Sequence, residues 1–205
     1  MDELYAHLNT YCAVTPDDFR HIQSFFQLRH VGKKEELYQA GRPNLHHFFV
    51  VRGCLQMYFI TRRGVESTLQ FAIENWWMTD YLAWQGGRSS EFSIQAVEDS
   101  VVLEINRESQ SELLRAYPVL ETYFRKVYEI AYGAAIMRVK FMMAYSKKEI
   151  FFYFREAHPE FTRKVPQQLL AGYLGLTPEY LSKLRQERDT PHAGDCPYPS
   201  PPNRR

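Results

Sequence analysis

The chain has 205 residues, 45% hydrophobic and 24% charged, with a formal net charge of +1, which suits one large or two small globular domains. That balance excludes a global basic field, so any nucleic-acid contact must come from a local surface. No apolar run reaches the roughly 18 residues of a transmembrane helix, so no membrane partner is expected. Three widely spaced cysteines, Cys12, Cys54 and Cys196, without a CxxC pair, argue against a disulfide framework and against a metal or iron–sulfur site. The acidic start, MDELYAHLNTYCAV, lacks a charged-then-apolar leader pattern, and a cytoplasmic location is expected.

The first ~30 residues read as helical. Thr15 is the N-cap, Pro16 opens the first turn, and Asp17 and Asp18 sit near the positive end of the dipole. Phe19, Ile22, Phe25 and Phe26 follow at helical spacing. From about Leu28 to Ile105 the pattern changes to short runs rich in β-branched and aromatic residues. Strands are predicted at His47–Arg52, Leu55–Thr61, Glu66–Ile73, Ser93–Val97 and Val101–Ile105. They are separated by Gly- and Pro-bearing turns, which suggests an antiparallel sandwich or small barrel. Asn75–Trp84 interrupts the strands as a short helix and loop.

From Arg107 onward helical spacing dominates. Pro118 opens a long helix to about Ala144. Along it Leu120, Phe124, Val127, Ala131, Ala134, Arg138, Phe141 and Tyr145 alternate four and three residues apart, a heptad seam with one charged member. Such a seam fits a parallel homodimer or packing on the helix's own domain, and the helix length favours the homodimer. Ser146 caps a further helix to about Glu156, which His158-Pro159 stops. After Arg188 the tail DTPHAGDCPYPSPPNRR is Pro-rich and expected to be irregular. The expected division is 1–106, 107–145, 146–188 and the tail 189–205.

Pro166–Arg188 reads as a helix-turn-helix. Ala171 is the small residue where the second helix crosses close to the first. Gly175, four residues on, can take a positive φ at the turn. Leu170, Leu174, Leu176, Leu181 and Leu184 fall where the helices face each other, and Thr177-Pro178-Glu179 caps the second helix. The N-terminal end of that helix would enter the major groove of double-stranded DNA with Glu179, Tyr180, Ser182, Lys183 and Gln186 outward. Glu179 can accept from a cytosine amino group, and Lys183 can donate to guanine or phosphate. Gln167, Thr177, Arg185, Arg188 and Lys164 are placed toward the backbone. Five Lys/Arg against two Glu make 163–188 modestly basic.

A small barrel, a long helix and then this motif resemble the CRP/FNR superfamily of bacterial transcription regulators, more closely its short members from Bacteroidetes. The residues carrying the resemblance are FFVVRGCLQMYFI (48–60), TLQFAIENWWMTDY (68–81), FSIQAVEDSVVLEI (92–105) and VPQQLLAGYLGLTPEYLSKLR (165–185). The resemblance implies an α+β fold: an N-terminal cyclic-nucleotide-binding-type β-barrel (jelly roll), a dimerisation helix and a C-terminal helix-turn-helix without a clear wing. It also implies a homodimer on a near-palindromic operator, with RNA polymerase as a further partner. Cyclic-nucleotide binders of the family carry a Gly-Glu pair for the ribose and Arg-Ser or Arg-Thr for the phosphate. The corresponding positions hold Thr79 and Asp80, then Ser90 and Glu91. The arginine is missing and a carboxylate stands beside the phosphate place. Arg88 could reach it only if the loop slid. Losing one charge-assisted hydrogen bond costs about 1.5–3 kcal/mol, so cyclic AMP is not expected as effector and no cofactor is expected. Trp76, Trp77 and Trp84 leave either a core filled by aromatics or a pocket for a different apolar ligand.

His46-His47 on a barrel invites a metal-enzyme reading. The next acid, Glu66, is distant, no histidine occurs between His47 and His158, and adjacent strand residues face opposite ways, so no enzyme is expected. A dimeric ligand sensor or protein-interaction module without DNA binding is the alternative.

Overall fold

In the computed structural model, which describes residues 1–43, 45–157 and 159–186, the local helix signals act where the sequence places them. Expectations resting on Arg188, Cys196, the tail and the His158 stop lie outside the described residues. The chain divides into two units, Met1–Val127 and a second beginning at Tyr128.

The first unit opens with α1 (Asp2–Asn9) and α2 (Pro16–Ile22). Thr15 Oγ1 accepts the Asp18 amide at 3.1 Å, the N-cap read from sequence. Two four-stranded antiparallel sheets follow. One has the order β1 (Gln27–Val31), β8 (Ser100–Asn106), β3 (His46–Arg52), β6 (Trp77–Met78). The other has the order β2 (Glu36–Tyr38), β7 (Ser93–Ala96), β4 (Leu55–Ile60), β5 (Glu66–Ala72). The five predicted strands appear within a residue or so at each end. The segment 75–84 contributes β6 as well as the expected short helix, α3 (Tyr81–Gly86).

Both sheets turn one face inward on a common core. Val31, Phe48, Val50, Met78 and Val102 come from the first sheet, and Tyr38, Leu55, Met57, Ala72, Ile94 and Ala96 from the second. The architecture is therefore a two-sheet sandwich with open edges, where the sequence left sandwich and barrel open. Strand β3 is buried on both faces, because His47 and Phe49 point away from this core and are also buried. That explains its unbroken run HHFFVV. At the β3–β4 turn Gly53 has φ +100°, and a Cβ there would lie 2.3 Å from Ser100 Oγ, so only glycine fits.

Helices α4 (Arg107–Ala116) and α5 (Val119–Ala144) follow. The first unit runs past the expected boundary at residue 106, because α4 packs on β8 and the first residues of α5 are buried with it. The second unit holds the rest of α5, then α6 (Lys147–Ala157), α7 (Pro159–Lys164), α8 (Gln167–Leu174) and α9 (Pro178–Gln186). Ser146 and Glu149 form a reciprocal cap at α6, Ser146 N donating to Glu149 Oε2 at 2.7 Å and Glu149 N to Ser146 Oγ at 3.3 Å. Among the described residues, no helix is long and apolar enough to cross a membrane.

Candidate functional site

Helices α8 and α9 meet at a left-handed residue, Gly175, with φ +65°. The Leu176 amide reaches back to Ala171 O at 2.8 Å and closes α8. Ala171, Leu170, Leu181 and Leu184 are fully buried, and Leu174 and Leu176 nearly so. These are the six apolar positions the sequence assigned to the helix–helix contact. Thr177 Oγ1 accepts the Tyr180 amide at 3.2 Å and caps α9.

The buried leucines leave the opposite side of α9 to solvent. Glu179, Tyr180, Lys183 and Gln186 are exposed, and Ser182 is half-buried. Two residues read as phosphate contacts also tie α9 to its neighbours, Gln167 from α8 and Arg185 to α7. Gln167 Nε2 donates to Pro178 O at 2.8 Å, and an Arg185 guanidinium nitrogen donates to Thr162 O at 2.9 Å. Lys147, which the sequence reading did not single out, reaches the Gly175 carbonyl from α6 and brings a cation to the turn.

The residues read as a ligand pocket separate into two groups. Thr79, Asp80 and Ser90 are buried. Thr79 Oγ1 donates to His46 O at 2.9 Å. Asp80 is the N-cap of α3, accepting the Leu82 and Ala83 amides at 3.1 and 3.2 Å, and Ser90 Oγ donates to its other oxygen at 2.7 Å. These three hold the α3 loop together. Arg88 and Glu91 do face a common space, an open cleft of about 570 Å³ that Leu82 and Phe92 also line. Two carboxylates, Asp80 and Glu91, line the same cleft as the one cation, an unfavourable setting for a phosphate. The tryptophans fill space: Trp77 and Trp84 are buried, and Trp76 packs against the sandwich core.

A buried aromatic cluster, which the sequence reading missed, joins α1, β3, β6 and α5. The Tyr123 hydroxyl accepts from Trp77 Nε1 at 2.7 Å and bonds His7 Nδ1 at 2.7 Å. With Nδ1 unprotonated, a neutral His7 accepts the hydrogen bond that the Tyr123 hydroxyl donates, and burial lowers the His7 pKa to about 4. His47 lies 4.4 Å from the Trp77 ring and 5.5 Å from Trp84, centroid to centroid. Full burial lowers its pKa to about 3, partly opposed by Gln110.

Helix α5 divides the residues of the heptad row. Leu120, Phe124 and Val127 are buried inside the first unit, Phe124 against Trp77 and Tyr123. Phe141 is buried against Tyr153 of α6. Ala131, Ala134 and Arg138 are half-buried. The face read as the partner seam thus turns largely inward. A different heptad row is open: Tyr132 (70% exposed), Ile136 (50%), Val139 (52%) and Met143 (82%). Arg138 turns toward α8, its guanidinium carbon 3.7 Å from the Tyr173 ring centroid and one nitrogen donating to Tyr173 O at 3.3 Å.

Residues 28–117 match the cyclic nucleotide-binding domain family. No curated protein matches the chain in sequence. Among solved structures, the catabolite activator protein of Thermus thermophilus superposes with a TM-score of 0.54 at 18% identity, covering 84% of this chain and 83% of the other. A CooA mutant of Carboxydothermus hydrogenoformans gives 0.63 at 16% identity, covering 86% and 85%. A putative transcriptional regulator of the crp/fnr family from Eubacterium rectale gives 0.60 at 18% identity, covering 83% and 82%. At these identities the likeness is one of fold. The chain therefore carries a cyclic nucleotide-binding domain fold over residues 28–117, followed by a helical region, in the chain order of solved CRP/FNR regulators.

Proposed function

We propose that this protein is a DNA-binding transcription regulator of the CRP/FNR type, close to the short Bacteroidetes-type members, and not an enzyme. The observation that carries the reading is the α8–Gly175–α9 pair. Its contact side is a closed leucine set, and its outward side presents Glu179, Tyr180, Lys183 and Gln186. Helix α9 serves as the recognition helix of a helix-turn-helix, reading base edges with Glu179 and Lys183. Gln167 and Arg185 stiffen it from behind, and Lys147 adds a backbone-directed charge at the turn.

The working form is a homodimer through Tyr132, Ile136, Val139 and Met143 of α5, on a near-palindromic operator in the cytoplasm. The support is the four-three-four spacing of exposed apolar residues on a helix of 26 residues, which meets the same row of a second copy. The sandwich is the regulatory domain, and cyclic AMP is not its effector, because the cleft that holds Arg88 is also lined by the carboxylates Asp80 and Glu91. Any contact with RNA polymerase belongs to the same reading.

The test is selection of bound duplexes from a random pool, followed by gel shift at several salt concentrations. A near-palindrome with a salt-sensitive shift is expected. Replacing Lys183→Ala should weaken binding about tenfold, within the roughly 1–3 kcal/mol of a base-edge contact. Recovery of no duplex at low salt would leave a dimeric sensor or protein-interaction module in place of the regulator.

A further inference from the structure

We infer that Arg138 and Tyr173 form a clamp that fixes the angle at which each recognition helix leaves the dimer axis, making Arg138 the positioning residue for operator half-site spacing. The inference rests on the regulator reading above and adds to it the residue that sets the geometry of recognition.

Within the second unit, α5 has two working sides. One is the exposed row Tyr132, Ile136, Val139 and Met143. The other carries Arg138 and Phe141, which pack on α8 and α6 respectively. Arg138 lies two residues from Ile136 and one from Val139, so it projects from the same turn that would meet a second copy. Its guanidinium stacks on the Tyr173 ring at 3.7 Å and donates to the Tyr173 carbonyl at 3.3 Å. A planar cation held by a ring face and a backbone oxygen has its tilt and its distance both fixed, which an ammonium would not. Tyr173 in turn rests on Phe154 and Phe161, with ring centroids at 5.8 and 6.2 Å. Ala171 and Leu174, on either side of it in α8, are buried beside α9. A path from α5 to the reading surface thus runs through the stacked Arg138–Tyr173 contact and the packed α8–α9 pair.

Operators reward that rigidity. Adding one base pair between half-sites rotates one of them by roughly 35° around the duplex, so a stiff dimer accepts a single spacing and a slack one accepts several. The full-length protein is used to recover a duplex with two half-sites from a random pool. That duplex is rebuilt with spacers one and two base pairs longer and shorter. The wild type should prefer one spacing at least tenfold. Arg138→Ala should remain dimeric by sedimentation while its preference falls to within about threefold. Arg138→Lys keeps the charge without the planar stack and should also lose the preference. Tyr173→Phe keeps the ring and the carbonyl and should retain it. Should Arg138→Ala fail to fold, Arg138→Lys decides. An unchanged spacing profile in the arginine variants overturns the clamp, as does an equal loss at every spacing, the signature of plain destabilisation. Recovery of no duplex by the wild type overturns the regulator reading and the clamp with it.

Discussion

Lowering the pH from 8 to 5 should destabilise the first unit by about 4 kcal/mol, and His7 and His47 should account for most of that loss. Both are buried and neutral in the folded chain, with pKa values lowered to about 4 and about 3 by desolvation. In the unfolded chain each titrates near 6.5. Above pH 6.5 neither state binds the proton and the stability is intact. As pH falls below 6.5 only the unfolded state takes up protons, so stability declines, down to about pH 4 for His7 and about pH 3 for His47. At pH 5 the linkage of about 1.36 kcal/mol per pH unit has acted over about 1.5 units, giving roughly 2 kcal/mol for each histidine. That is a large share of a typical domain stability of about 5–15 kcal/mol. All three tryptophans lie at positions 76, 77 and 84, so their fluorescence reports this unit alone. Urea midpoints at pH 8 and pH 5 are the measurement. His47→Phe keeps the ring contacts and should halve the pH-dependent loss, even if it lowers stability at pH 8. A loss in the double variant His7→Phe/His47→Phe as large as in the wild type would refute the argument, because the protons would then be binding elsewhere.

Three further outcomes follow from the same structure. Ile136→Glu combined with Val139→Glu places charge on the exposed α5 row and should convert the dimer to a monomer in sedimentation, while Leu120→Ala, in the buried set, should instead lower the unfolding free energy measured in urea by about 2–5 kcal/mol. Gly53→Ala combines a φ of +100° with a clash against Ser100 and should cost more than about 3 kcal/mol, seen as loss of soluble folded protein or a large fall in Tm. Calorimetry with cyclic AMP should show no tight binding, and a sub-micromolar Kd would overturn the reading of Arg88, Asp80 and Glu91.

Much of the fold was legible because it is written in local chemistry. Thr15, Ser146 and Thr177 each cap a helix through a side-chain oxygen, and the turn at Gly175 needs a positive φ. The strand runs of the sandwich follow from alternation and turn residues. The candidate site was less legible because its residues owe their roles to long-range partners. Asp80 reads as a ligand group from its place in a resemblance, yet its oxygens are taken by α3 and Ser90. His7 lies 116 residues from the Tyr123 hydroxyl it bonds, and no spacing rule connects them.

The two faces of α5 show where periodicity stops informing. A heptad pattern fixes the interval between apolar residues but not the phase of the row that meets a partner. Helix α5 carries two interleaved rows, one through Leu120, Phe124, Val127, Arg138 and Phe141, the other through Tyr132, Ile136, Val139 and Met143. The first starts earlier and is longer, so it scores better as a seam, but it is longer because it must cover the chain's own core at both ends. The charged member was the clue. An arginine within an apolar row is costly to bury against another hydrophobic helix, and it is inexpensive where an aromatic face and a carbonyl await it. Arg138 has both, supplied by Tyr173, 35 residues further along the chain. The single polar break in the first row therefore marks it as the side facing the chain's own helices, and the unbroken second row is the one exposed to solvent.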